Sequence, residues 1–333
     1  MNAPKCSEYD YINFLVAAQQ VFSAVEAARS HPAADGESKV AHDAYTRLLQ
    51  RLPPDSAALW AEVSACIERD KGMLIIDDTT LDKPYASAMA LVSRQWSGKH
   101  HAVVQGINLI SLVWSDGDAA LPCDYRLYHK QQDGLSKNDH FRDLLQRAHE
   151  RGFRPSLVAF DSWYSSLENL KLVRGFGWEW LTRLKSNRQV SVLARQQQAV
   201  SEVDIPDSGL TVHLRGYGMV KVFRTVDTNG NAEHWATSRL DMTDAQRQLL
   251  ADRAWLVEVY HRALKQFTGI ERGQFRVERS QRNHIGLALR AYVRLEVHRW
   301  RARVSICNSK LDIIRAAIRH YLAHPTYCLN STA

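Results

Sequence analysis

The chain reads as an α/β protein built on a mixed sheet, and three observations carry that reading. Two short apolar runs, Met73-Leu74-Ile75-Ile76 and Leu157-Val158-Ala159-Phe160, each close on an aspartate, Asp77 and Asp161. A long β-rich stretch over 102–114 turns back at Ser115-Asp116-Gly117-Asp118 into a second stretch over 121–128. Segments with helical spacing, 138–151 and 165–175, separate the later strands. Hairpin strands, helix, strand, helix, strand is a mixed-sheet order, not the strict alternation of a doubly wound fold.

The elements follow in order. Residues 9–29 place Tyr11, Phe14, Leu15, Ala18, Val21, Phe22 and Val25 on one face, which predicts a helix. A polar loop over 31–38 precedes a second helix over 40–51, with Ala44, Leu48 and Leu49 inward. Pro53-Pro54 ends it, and Asp55 or Ser56 can cap a third helix to about Arg69. The helical module is therefore placed at 1–70, either as a DNA-contacting unit or as a cap on the core. The core begins at 71 and runs to 184, its last strand over 178–184. Residues 185–242 change character: alternating Val and Leu with turn signals at Gly216, Gly218 and Asp227-Thr228-Asn229-Gly230 predict a β-rich insertion subdomain. The core resumes over 243–304 with a helix over 243–267 carrying Glu258, then a helix over 283–303 with Arg290, Arg294 and Arg301 on one side. A C-terminal helical tail fills 305–333.

Charge narrows the function classes. The net charge is +7, but Arg253 to Arg319 alone holds 15 Lys and Arg against five acids, a local +10. Such a segment suits a polyanion, nucleic acid above all, or else a solvated helix face. The five cysteines are odd in number and form no Cys-x-x-Cys, which argues against a disulfide framework or zinc site and fits a reducing cytosol. No signal peptide and no run of some 18 apolar residues is visible, so neither secretion nor a membrane span is expected.

The chemistry lies in three acids. A strand-end Asp on each apolar run reaches the edge where α/β sites gather, and Glu258 joins them from a helix. Converging carboxylates suit hard divalent cations such as Mg2+, with Mn2+ able to substitute. Two such ions about 3.5–4 Å apart can activate an attacking oxygen and stabilise a leaving one at phosphorus. Each acid taken alone is also an ordinary turn or surface residue. Asp78 competes with Asp77 for the first position.

Four motifs, in this order and spacing, resemble bacterial insertion-sequence transposases of the cut-and-paste type. They are Ile76-Asp77-Asp78-Thr79-Thr80-Leu81-Asp82-Lys83-Pro84, Trp96-Ser97-Gly98-Lys99-His100-His101, Phe160-Asp161-Ser162-Trp163-Tyr164-Ser165-Ser166-Leu167-Glu168-Asn169-Leu170-Lys171, and Trp255-Leu256-Val257-Glu258 with Tyr260, Arg262, Lys265 and Gly269-Ile270-Glu271-Arg272. The resemblance covers about residues 40–300. It implies an RNase H-like mixed sheet with a β insertion before the glutamate, and an Asp-Asp-Glu (DDE) site of Asp77, Asp161 and Glu258 holding two metal ions. It further implies cleavage at element ends and strand transfer into target DNA, double-stranded DNA as partner, a homodimer pairing two ends, and work at the nucleoid in the bacterial cytoplasm.

The family signature on the glutamate helix is Tyr, two residues, Arg, three residues, Glu, six residues, Lys. Glu258 and Lys265 keep it, but Ala251 and Ala254 stand where the Tyr and Arg belong, with Arg253 one residue early. Those two residues help hold DNA phosphates in the family, so the departure leaves open a nuclease that does not join, or a DNA-binding protein with its chemistry decayed. The DNA contacts expected are Lys265 and Arg262 on the glutamate helix, Arg253, the basic pair Lys99 and His100, and Arg290, Arg294 and Arg301. Trp163 and Tyr164 are placed to stack on an unpaired base or to pack the site wall. Lys83, Lys137 and Arg183 are further phosphate candidates.

Overall fold

The structure, a computed structural model, describes residues 4–32, 39–97, 101–193, 196–227 and 229–325. The chain divides into two compact units: Met1–Asp55 with Ser87–Ala90 and Arg262–Ala333, and Ser56–Ala86 with Leu91–His261.

Helices come first: α1 (Glu8–Ala17), α2 (Ala24–Arg29) and α3 (Ala44–Arg51) in the first unit, α4 (Ala57–Val63) in the second. The single helix expected over 9–29 is two. Ala18 leaves the helix with ψ 139°, and Ser23 restarts it by accepting from Glu26 N–H. Exposed Val21 lies in the gap between them, whereas buried Tyr11, Ile12 and Leu15 carry the α1 face.

The second unit is organised by one sheet. Its strands are β1 (Met73–Asp82), β2 (Ser93–Ser97), β3 (Ala102–Ser115), β4 (Ala120–Tyr128), β5 (Val158–Phe160), β6 (Trp180–Leu184), β7 (Gln189–Ser191), β8 (Gln198–Ala199), β9 (Leu210–Leu214), β10 (Gly218–Val226) and β11 (Ala232–Thr237). They pair in the order β2-β3-β1-β5-β6-β11-β10-β9-β7-β8, with β4 on β3. β1–β5 and β5–β6 are parallel and the remaining pairings antiparallel, the mixed sheet expected. The β-rich segment after 185 does not stand apart from this sheet. β11 pairs with β6, placing Trp235 opposite Arg183, so the insertion prolongs the core sheet.

Three helices connect or cover the strands: α5 (Lys137–Glu150), α6 (Leu167–Gly175) and α7 (Asp244–Ala254). α5 begins with a capping box between Ser136 and Asp139 and turns Phe141, Leu144, Leu145 and Ala148 inward, as their spacing dictates. The helix expected over 243–267 breaks at Trp255, giving α7 and α8 (Leu256–Phe267). Glu258 N–H bonds to Trp255 O, a tighter i→i−3 link at the junction.

The first unit is completed by α9 (Glu278–Ala302) and α10 (Ile306–Ala323), and α1, α3 and α10 all pack on α9. α9 is buried along most of its length because it is surrounded on several sides within this unit. Buried Tyr11 and His284 meet at 3.0 Å, and Lys310 Nζ donates to Leu15 O and Phe267 O. Among the described residues no helix is long and apolar enough to cross a membrane.

Candidate active site

Strand register brings the two aspartates together. In the parallel pair β1–β5, Leu74, Ile75 and Ile76 lie opposite Val158, Ala159 and Phe160. Asp77 and Asp161 are the next residues on each strand, at the carboxyl end of the parallel segment. β1 itself does not stop at Asp77. It continues to Asp82 because β3 still pairs with it, so only the β5 side opens at the aspartate.

Successive strand residues face opposite sides of the sheet, so Asp77 and Asp78 part company. On the Asp77 side, β3 places Ser111 directly opposite. Ser111 Oγ and the hydroxyl of buried Tyr260 are 3.0 Å apart, which seats α8 on this face. Glu258 and His261, three residues apart on α8, share a side of the helix. His261 Nδ1 lies 3.9 Å from Asp77 Oδ2, and one ligand atom each from Asp77, Glu258 and His261 lie within 4.8 Å of one another. Glu258 lies in the first turn of α8.

Asp161 caps the 3₁₀ turn Ser162–Tyr164, its Oδ1 accepting from Ser162 N–H at 2.6 Å and from Arg183 Nη2 at 3.3 Å. Arg183 donates its other arm to Glu233 Oε1 at 2.5 Å. Asp77, Asp161 and Glu258 line one cavity of about 400 Å³ in the second unit. Arg183, Glu233 and Trp235 form one wall of it, and Ala251, Ala254 and Trp255 another.

The electrostatics of the neighbouring aspartates diverge. Burial, and then the charges of Asp78, Glu258 and Asp161, hold the Asp77 carboxyl well above the usual carboxylate range, against a single bond from Asp78 N–H. Burial would raise Asp78 too, but the Lys137 charge and bonds from Asn108, Lys137 and Tyr164 hold it below its ordinary value. Lys137 Nζ and Asn108 Nδ2 each donate to Asp78 Oδ2 at 2.7 Å, and the Tyr164 hydroxyl donates to Oδ1 at 2.8 Å. Burial and the neighbouring acids thus disfavour a charge on Asp77, while the charge of Asp78 is matched by the protein. The donor set around Asp77, carboxylates with one imidazole, fits a divalent cation, whose charge would relieve that repulsion.

Several expected DNA contacts sit elsewhere in the packing. Tyr164 is buried, stacked on Phe141 with ring centroids 5.2 Å apart and its hydroxyl on Asp78, so it offers no face to a base. Trp163 beside it is 57% exposed, with Lys137 and Lys185 ammoniums 5.9 and 5.3 Å from its ring centroid. Arg290 is buried and forks onto Glu8 at 2.9 and 3.0 Å, anchoring α9 to α1 instead of facing a ligand. Arg294 donates to Arg290 O at 3.3 Å and lies over Tyr9, leaving Arg301 as the exposed member of that row. Arg253 covers the Gly117 turn, where an added Cβ would meet its Nε at 3.0 Å, and the cavity is lined by its neighbours Ala251, Asp252 and Ala254 instead. One position on a helix turns a side chain by about 100°, which is why Arg253 does not stand in for the missing Arg. Arg262 is exposed on α8, and Lys265 pairs with Glu271 at 3.2 Å. Lys99 and His100 lie outside the described residues. His261 was not singled out from sequence, although its three-residue spacing from Glu258 is a legible signal. The Tyr260–Ser111 contact, made across 149 positions, left none.

A family model described as "DDE superfamily endonuclease" matches residues 13–204, and one described as "Archaeal putative transposase ISC1217" matches residues 136–307. Among curated proteins none matches the chain. Among solved structures, the cryo-EM structure of the piggyBac transposase synaptic complex with hairpin DNA aligns over 98% of this chain and 76% of that one, with a TM-score of 0.50 and 11% identity. That likeness is one of fold and agrees with an RNase H-like mixed sheet. With more than half of its length matched by each family model, the chain belongs to the DDE superfamily of endonucleases and is a DDE-type DNA transposase.

Proposed function

We propose that this transposase cuts DNA at the ends of its element and joins the freed 3′ hydroxyl to target DNA, with Asp77, Asp161 and Glu258 as its metal-holding carboxylates. One observation carries the assignment: these three acids, from two strands and a helix, line a single cavity. Asp77 is chosen over Asp78 because Asp78 is already satisfied by Lys137, Asn108 and Tyr164 on the other face of the sheet.

In the first step a water oxygen attacks phosphorus and the 3′ oxygen leaves with the electron pair. In the second that 3′ oxygen attacks a target phosphate and a target-strand oxygen leaves. Both are in-line displacements, so one set of carboxylates serves both. Two divalent cations, Mg2+ with Mn2+ able to substitute, supply Lewis acidity at the attacking and leaving oxygens when bound. Arg183 holds Asp161 in position beside the cavity. Exposed Trp163, flanked by Lys137 and Lys185, offers an aromatic face with adjacent cations to a DNA strand. Arg262 and Arg301 are exposed cations suited to phosphate, and the Arg-rich stretch supplies charge for the remaining contacts. Two element ends call for two active sites, hence a homodimer on DNA, working at the nucleoid in the cytoplasm.

A second reading has a specific observation behind it. Ala251 and Ala254 line the cavity, where the related signature carries Tyr and Arg, so phosphate binding there is weakened and a decayed DNA-binding protein results. Cleavage of a duplex bearing the element's own ends, in Mn2+, separates the readings. The proposal expects nicked product that vanishes with excess EDTA and with Asp161→Ala. DNA bound but never cut by the wild-type chain favours the decayed protein. Precut ends that are not joined to target favour a nuclease without strand transfer.

A further inference from the structure

We propose that His261 is a nitrogen ligand to the cation held by Asp77 and Glu258, and that it biases this position toward Mn2+ over Mg2+. The inference rests on the reading that Asp77 and Glu258 hold a divalent ion, and adds a third donor of different chemistry.

The geometry is built, not incidental. His261 is 4% exposed, so its imidazole is committed to the protein interior. Its Nδ1 is 3.9 Å from Asp77 Oδ2, and ligand atoms of all three side chains fall within 4.8 Å of one another. An octahedral ion with bonds of about 2.1 Å sets neighbouring donors about 3 Å apart and opposed donors about 4.2 Å apart. The three atoms therefore need only small side-chain adjustments to close on one ion. Glu258-Val259-Tyr260-His261 is a Glu-x-x-His spacing, which puts a carboxylate and an imidazole on one side of a helix, as in carboxylate-bridged metal bundles. The Tyr260–Ser111 bond fixes the rotation of α8, and Ser111 stands opposite Asp77 in the register.

Donor type then decides the ion. Mg2+ is hard, keeps its waters and favours oxygen donors, whereas imidazole affinity rises along the first-row transition series. A third donor of carboxylate type would leave Mg2+ and Mn2+ nearly equivalent, but an imidazole does not.

Pulsed EPR on the full-length chain loaded with Mn2+ alone tests this. The proposal expects nitrogen modulation of the Mn2+ signal that changes when the protein is grown with ¹⁵N-histidine. It expects His261→Gln to weaken Mn2+ binding about 10–100-fold while Mg2+ binding changes several-fold at most. His261→Asn, which keeps a polar atom near the Nδ1 position, serves should the Gln variant misfold, and the isotope test needs no variant at all. Bound Mn2+ with no nitrogen coupling overturns the role of His261 and leaves the carboxylate site standing. No Mn2+ bound by the wild-type chain overturns both.

Discussion

Tyr260 and Ser111 are joined by a 3.0 Å hydrogen bond, and Ser111 is the cross-strand partner of Asp77. This contact fixes where α8 lies on the sheet, and so where Glu258 and His261 stand relative to Asp77. Tyr260→Phe should cost about 1–3 kcal/mol, since a buried hydroxyl loses its partner. At roughly 2–4 °C per kcal/mol, the melting temperature should fall by several degrees. Divalent-ion affinity should fall with it. A variant that melts lower but binds ions as tightly as wild type would show that the helix is seated by other contacts.

Asp77 is held protonated more strongly than a free carboxylate, by burial and by Asp78, Glu258 and Asp161. For a group whose folded pKa is raised, stability is greatest below the unfolded value and is lost as pH rises through the folded one. In the absence of metal, Asp77→Asn should therefore raise the melting temperature at neutral pH, and the gain should shrink below about pH 4, near the unfolded carboxylate value. The same variant should lose the stabilisation that Mn2+ gives wild type. Thermal melts across pH, with and without the ion, check both halves.

Asp78 should behave in the opposite way. Its partners Lys137, Asn108 and Tyr164 lose a shared acceptor charge in Asp78→Asn, and a half-buried ammonium is left without its counter-ion. We expect destabilisation of about 1–3 kcal/mol, with Mn2+ binding largely kept. Loss of ion binding at unchanged stability would instead move the metal site to Asp78.

How far the site could be read from sequence follows from which contacts are local. The runs ending in Asp77 and Asp161 are readable because a central strand is apolar throughout and its exit is not. Their neighbourhood is not readable: it depends on Ile76 pairing with Phe160, a register between distant segments. The core strands β1, β3, β4, β5 and β6, with α5, α6 and their inward faces, are readable from periodicity, whereas β2 and β8 are not. Nor are the break at 18–23 and the one at Trp255, because each lies in a sequence that keeps helical spacing across it. The Arg row on α9 misled for a related reason. Spacing groups Arg290, Arg294 and Arg301, but Glu8, far away in sequence, decides that Arg290 is an internal anchor. That the β-rich segment prolongs the core sheet likewise required seeing β11 on β6.

The cavity also suggests a gain of function. Ala254 lines it beside Glu258, and Arg there would add a charge-assisted phosphate contact worth about 1.5–3 kcal/mol. Ala254→Arg should raise end cleavage in Mn2+ about tenfold, and adding Ala251→Tyr should raise it further. Single-turnover nicking assays check this. An unchanged rate would mean that phosphate docking beside Glu258 is already supplied, with cavity-lining Arg183 a candidate.

The central claim is that Asp77, Asp161 and Glu258 together seat divalent ions. Counting bound Mn2+ by EPR titration, on wild type and on the triple variant Asp77→Asn, Asp161→Asn, Glu258→Gln, tests it most directly. The account predicts about two ions per wild-type chain and none held tightly by the variant, with the fold intact in both. A variant that keeps the wild-type number of ions would contradict it.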